Sequence, residues 1–192
     1  MPAPDLPADQ LVHPPAGLAR REGPLLAPRL DPPVEDRRLE FRKLLAISKG
    51  LARTSSLWAG TSDLGQRTWG LIAASETYEA WVITWPPGGR IELHDHGLSS
   101  GAVTVASGEL RESTVVQSEG GSAHCETKLV GAGESVTFGA HYVHDFANVG
   151  TSSARSVHVY APRLTAMTYF DLVDGNLVRG DTIRFDPEEE CP

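Results

Sequence analysis

The chain has 192 residues and a net charge of −8, from 17 basic against 25 acidic side chains, a size that suits one domain with a sizeable core and an appended arm. It carries no basic block beyond short pairs such as Arg20-Arg21 and Arg37-Arg38, which argues against a nucleic-acid surface. No apolar run approaches the roughly twenty residues that span a bilayer, and the N-terminus lacks the basic-then-apolar order of a secretory signal, so a cytoplasmic protein with no membrane contact is expected.

Residues 1–36 hold most of the prolines, including Pro14-Pro15 and Pro32-Pro33, and show no sustained apolar period. They read as an irregular arm. From 34 to 51 the apolar residues Leu39, Leu44, Leu45, Ile47 and Leu51 recur near helical spacing among charged neighbours, which predicts an amphipathic helix packed on something larger. Residues 54–74, with Trp58, Arg67 and Trp69 among turn formers, read as a short helix or turn that completes a helical lead-in of about 37–75. Beyond it the period changes to two. Strands are predicted at 78–85, 102–106, 110–117, 124–130, 135–138, 156–161, 167–172 and 182–185, separated by glycine-rich breaks. Many short strands without intervening helices predict an all-β sandwich or barrel over about 76–192. Cys125 and Cys191 are too few and too far apart for a disulfide framework or a zinc knuckle, and neither sits in a nucleophile motif.

Two stretches carry chemistry. In His94-Asp95-His96 the histidines stand at i and i+2 on an extended segment, so both imidazoles share a face and one metal ion. Gly88, Gly101 and Gly108 frame them. A second stretch runs from Gly133 through His144 to Asn148, with Gly139 and His141 between, and makes His144 the third ligand. These are the spacings of the two cupin motifs, with Gly139 where a proline is usual and His141 where a glycine is usual; they predict a double-stranded jelly-roll barrel. The first motif usually has a glutamate five residues after its second histidine, but here that position is Gly101. Asp95 points to the opposite face from the two ligands, so an all-histidine site is expected. Three neutral imidazoles suit iron, cobalt, nickel, copper or zinc rather than magnesium or calcium.

In Arg155-Ser156-Val157-His158-Val159-Tyr160 three polar residues alternate with apolar ones, which puts Ser156, His158 and Tyr160 on one face of one strand. Three polar side chains facing an ordinary core would cost several kcal/mol unless each found a partner. A hydrogen-bonded Ser-His-Tyr chain beside a polar cavity meets that need, its task being to hold the Tyr160 hydroxyl near the metal. The competing reading is a tyrosine that only closes the barrel.

The His-Asp-His segment, the His144 to Asn148 spacing and the Ser-Val-His-Val-Tyr-Ala-Pro run, in this order after a strand ending in Trp85, resemble the thiol dioxygenases of the cysteine dioxygenase family, which are small cupins. The resemblance covers about 81–171. It implies Fe(II) on His94, His96 and His144, an outer triad of Ser156, His158 and Tyr160, and a reaction that adds both atoms of O2 to a thiol sulfur. The animal cysteine enzymes have a cysteine, crosslinked to the tyrosine, where this chain has Gly101. Their substrate-carboxylate arginine, in a Tyr-x-Arg pattern, has no clear counterpart: if Trp69 takes the tyrosine's place, Leu71 takes the arginine's. Arg67 then stands as substitute clamp or surface cation, and the pocket is expected to be apolar and wide, suited to a bulky thiol or thione such as ergothioneine stacked on Trp69 or Trp81, with cysteine or 3-mercaptopropionate as alternatives. A cupin enzyme acting on a non-thiol, such as a diketone or phenol, and a non-catalytic binding cupin remain the competing functions.

Overall fold

The computed structural model describes residues 34–60, 65–118 and 121–185, all within one compact unit. Among the described residues, one α-helix, α1 (Val34–Arg53), and a short 3-10 helix (Ser55–Leu57), within the segment expected as a short helix or turn, precede eleven strands: β1 (Thr68–Ala74), β2 (Glu79–Trp85), β3 (Arg90–His94), β4 (Ser100–Ser107), β5 (Glu109–Gln117), β6 (Ala123–Gly131), β7 (Ser135–Phe138), β8 (His144–Ala147), β9 (Ala154–Ala161), β10 (Ala166–Val173) and β11 (Asn176–Arg184). They form two antiparallel sheets, ordered β1-β2-β9-β4-β7 and β11-β10-β3-β8-β5-β6. This is the cupin double-stranded barrel. Among the described residues no helix is long and apolar enough to cross a membrane.

Strand alternation assigns each face of the first sheet a different task. Ala80, Val82, Ala102, Val157 and Val159 are buried on one face, and Leu44 and Ala52 of α1 pack with Ala80, Ala102, Val157 and Val159 in one cluster. Each fully buried valine or leucine there stabilises the fold by roughly 1.5–3 kcal/mol. Ser48 marks the close approach of helix to sheet, donating to Thr104 Oγ1 at 2.6 Å and to the Val157 carbonyl at 3.3 Å. The opposite face carries Trp85, Val103, Val105, Phe138 and Tyr160, which pack with Leu110, Val130 and Phe146 of the second sheet into the barrel core. Ser156 and His158, in phase with Tyr160, therefore point into the barrel.

Three segments differ from the reading of the sequence. Residues 68–74, expected as helix or turn, form the edge strand β1, whose pairing with β2 (Thr68 opposite Thr84, Trp69 opposite Ile83, Leu71 opposite Trp81) fixes its register. The short strands β3 and β8 frame the histidines, with His94 opposite His144. β11 begins at Asn176, well before residue 182. The arm assigned to 1–36 lies outside the described residues except for 34–36, which open α1, and Cys191 also lies outside them.

Candidate metal centre and its tyrosine relay

His94 closes β3, and His96 follows two residues later, outside the strand. Their Nε2 atoms are 3.1 Å apart. His144, at the start of β8, completes a buried group whose ligand atoms all lie within 4.8 Å of one another. Outer partners orient two of the rings. His94 Nδ1 is 2.7 Å from the Glu92 carbonyl, and His144 Nδ1 is 2.9 Å from Glu112 Oε1. A carbonyl and a carboxylate only accept, so both Nδ1 atoms carry the hydrogen and both Nε2 atoms present lone pairs to the common point. Burial, with the His144 charge second, holds His94 well below the ordinary 6.5, and burial with His94 and His144 does the same to His96. Three imidazoles gathered around one point, two of them strongly disfavoured as cations, fit a bound divalent metal of the iron-to-zinc group. Asp95 takes no part: its Oδ1 accepts from the backbone N–H groups of Gly97 (3.0 Å) and Thr168 (3.2 Å), tying the end of β3 to β10.

The inward face of β9 is a chain of hydrogen bonds with a defined direction. Trp85 Nε1–H donates to Ser156 Oγ at 2.8 Å. Ser156 Oγ is 2.9 Å from His158 Nε2, and His158 Nδ1 is 3.2 Å from the Tyr160 hydroxyl. Indole N–H is donor-only, and His158 Nε2 is the one described acceptor within reach of the buried Ser156 hydroxyl hydrogen. Leaving that hydrogen unpaired would cost about 1–3 kcal/mol, so Ser156 donates to Nε2. His158 then carries its hydrogen on Nδ1 and donates to Tyr160. No other described residue hydrogen-bonds to the Tyr160 hydroxyl, whose own hydrogen is left without a protein acceptor. The ring centroid of Tyr160 is 5.0 Å from that of His96. Burial first, then the charges of His144 and Arg67, lowers His158 to about 3, while burial and Glu79 push Tyr160 upward against Arg67. Both groups are neutral across the physiological range.

Arg67, left by the sequence as substitute clamp or surface cation, lies beside the site. The β1–β2 register carries it alongside Trp85, and its guanidinium carbon lies 5.5 Å from the ring centroids of both Trp69 and Trp85, the latter fully buried. Burial lowers its pKa, and the nearby acidic groups, Tyr169 first and then Glu92, oppose that. It is a half-buried cation whose charge reaches His94 and His158, not a surface charge. Leu71, 43% exposed, and Trp69, 52% exposed, follow it at i+4 and i+2 along the open edge, so Leu71 does not stand in for the cation. Trp81 lies opposite His158 and is partly buried, with its Nε1–H unpartnered.

Two backbone positions explain departures from the usual motifs. At Gly101, paired with Tyr160 across the sheet, an added Cβ would stand 2.3 Å from Phe138 Cζ and 2.9 Å from the Val159 carbonyl oxygen. Phe138, which stacks on His96 with centroids 4.5 Å apart, occupies the space a side chain would need. His141, where glycine is usual, has φ of 65°, a left-handed conformation that non-glycine residues adopt at a cost of about 1 kcal/mol. Asn148 is structural: its Nδ2 donates to the carbonyls of Trp85 (2.8 Å) and Ser152 (2.9 Å).

Sequence reasoning missed Glu112, Trp85 as the head of the relay, Phe138, and Tyr169, whose ring lies 6.1 Å from that of His94. Glu112 left one signal, a carboxylate in phase with Leu110 on an alternating strand. Burial pulls its pKa up, but the His144 hydrogen bond and Lys128 outweigh this and hold it below the usual carboxylate range.

The sequence profile of the family described as cysteine dioxygenase type I matches residues 39–172. Among solved structures, the chain is similar to the protein TT1209 from Thermus thermophilus (22% identity, 57% of this chain and 94% of that one, TM-score 0.45). It is also similar to a recombinant oxalate oxidase in complex with glycolate (18% identity, 56% of this chain and 57% of that one, TM-score 0.47). A third is an uncharacterized conserved protein with a double-stranded beta-helix domain from Klebsiella pneumoniae subsp. pneumoniae (20% identity, 63% of this chain and 90% of that one, TM-score 0.42).

Proposed function

The chain belongs to the cysteine dioxygenase type I family, and from that premise we propose that it is an Fe(II)-dependent thiol dioxygenase acting on an anionic small-molecule thiol or thione. The reaction adds O2 to the sulfur of R–SH to give the sulfinic acid R–SO2H. Sulfur loses four electrons and O2 gains four, so no external reductant is required. Iron held by His94, His96 and His144 would supply the redox-active Lewis acid at which sulfur and O2 meet.

The remaining roles belong to this chain's side chains. The observation that carries the reading is the direction of the Trp85-Ser156-His158-Tyr160 relay, which leaves a neutral phenolic O–H, partnered behind, on a ring packed beside His96. A donor fixed in that way steadies developing negative charge on substrate or oxygen without reorganisation. Tyr160 holds this proton, and Ser156 and His158 orient it. Arg67 receives the substrate's anionic group, where a charge-assisted contact is worth roughly 1.5–3 kcal/mol, and the unpartnered Trp81 Nε1–H offers a second donor. Ergothioneine, with a flat ring to stack on the exposed Trp69 and a carboxylate for Arg67, stands beside cysteine and 3-mercaptopropionate. Phe138 and Trp85 line the interior and limit water.

The test is oxygen uptake by iron-loaded protein, with iron content determined on the same sample, against cysteine, 3-mercaptopropionate, ergothioneine, a β-diketone and a phenol. Uptake that tracks iron and appears with a thiol or thione is expected. Uptake with the diketone or phenol and none with any sulfur compound would replace this reading by the non-thiol one.

A further inference from the structure

Glu112 has no solvent exposure, and orienting His144 is the one task given to it so far. A buried carboxylate persists only where charged or hydrogen-bonding partners offset its desolvation. Its two oxygens face different ones. Oε1 accepts from His144 Nδ1–H at 2.9 Å, with the Tyr142 hydroxyl more distant at 3.5 Å. Oε2 lies 3.0 Å from Nζ of Lys128, whose side chain is 55% exposed; the contact is an ion pair rather than a well-directed hydrogen bond. A line of contacts thus runs from solvent through Lys128 and Glu112 to a buried imidazole of the metal group. The other two imidazoles have no such connection: His94 Nδ1 meets a neutral carbonyl, and His96 Nδ1 has no partner.

We propose that Glu112 and Lys128 are a pair of opposed positioning residues that set how strongly His144 donates to the metal, so that a surface lysine tunes a buried centre. A carboxylate on Nδ1–H fixes the tautomer and raises the electron density at Nε2. That favours metal binding, and it favours the more highly charged oxidation state. The lysine ammonium withdraws part of this density by pairing with the same carboxylate. The proposal rests on the three-histidine iron site.

The experiment uses the full chain loaded with Fe(II), measuring Fe(II) affinity by chelator competition and the Fe(III)/Fe(II) midpoint potential. Glu112→Gln keeps shape and acceptor but loses the charge. It should bind Fe(II) about tenfold to a hundredfold more weakly and have a higher potential. Lys128→Met keeps the stem and loses the ammonium. It should lower the potential, with about 59 mV for each tenfold change in preference between the oxidation states. The double variant should match Glu112→Gln, since the lysine then has no charge to oppose. A merely structural pair would not shift the potential in opposite directions. Potentials unchanged in both variants, or moved in the same direction, would overturn the proposal. Should Glu112→Gln fail to fold, Lys128→Met, made at the surface, decides the matter by itself. Failure of the parent protein to take up iron would remove the metal reading, and the proposal with it, and is distinct from an iron-loaded parent whose variants do not differ.

Discussion

Replacing Tyr160 with Phe removes one oxygen from the end of the relay and little else. The phenyl ring keeps its place beside His96 and Phe138, at centroid distances of 5.0 and 6.1 Å, so the metal group retains its packing. His158 Nδ1–H, which donated to that oxygen at 3.2 Å, is left buried and unpaired, a cost of about 1–3 kcal/mol in stability. For a domain of this size that corresponds to a melting temperature lower by about 2–4 °C per kcal/mol. The effect on turnover should be larger. Loss of a positioned proton donor typically slows a reaction by about 10² to 10⁴, or about 2.7–5.4 kcal/mol of barrier at 1.36 kcal/mol per factor of ten. The assay is initial oxygen uptake at saturating thiol, normalised to iron bound and run well below the melting temperature. Ser156→Ala, which frees His158 to change tautomer, should fall between parent and Tyr160→Phe. An iron-replete Tyr160→Phe protein with turnover within about twofold of the parent would refute the relay and leave the tyrosine as a barrel-closing side chain.

Arg67→Ala should raise KM for anionic thiols by about tenfold or more with a smaller change in kcat; equal KM values would mean that the cation is not the anion contact. Gly101→Ala should lose roughly 1–3 kcal/mol from overpacking, measured by urea unfolding, because its Cβ meets Phe138 and the Val159 carbonyl; a neutral result would show that Phe138 moves aside freely. Asp95→Asn should keep metal stoichiometry while lowering stability, since its Oδ1 anchors two backbone N–H groups away from the metal. His158 contributes a pH dependence of known sign. Its folded pKa is depressed to about 3 from 6.5, so the unfolded state binds this proton first. That stability is complete above 6.5 and falls by about 1.4 kcal/mol per pH unit as the pH drops toward 3. His158→Gln should reduce the slope of unfolding free energy against pH between about 4 and 6 by that amount, and an unchanged slope would mean that His158 is already charged in the fold.

The parts of the site that were legible in the sequence are those fixed by alternation within one strand. His94 with His96, and Ser156 with His158 and Tyr160, follow from a period of two, and the change from helical to strand period placed the barrel. The parts that were not legible depend on pairing between strands. β1 holds a glycine and leaves Trp69 and Leu71 exposed at an open edge, so its local pattern resembles a turn; only its register with β2 brings Arg67 beside Trp85. The direction of the relay was hidden for the same reason, because Trp85 and Ser156 are 71 residues apart. Glu112 and His144 are 32 apart, on strands that meet only through the β5–β8 register.

The most direct test of thiol dioxygenation is the fate of labelled oxygen. Iron-loaded protein is incubated with the best thiol or thione substrate under 18O2 in ordinary water, and the product is examined by mass spectrometry. Thiol dioxygenation gives a sulfinate carrying 18O in both oxygen positions, formed in proportion to the iron bound. Disulfide with hydrogen peroxide, or a sulfinate whose oxygens come from water, would contradict it.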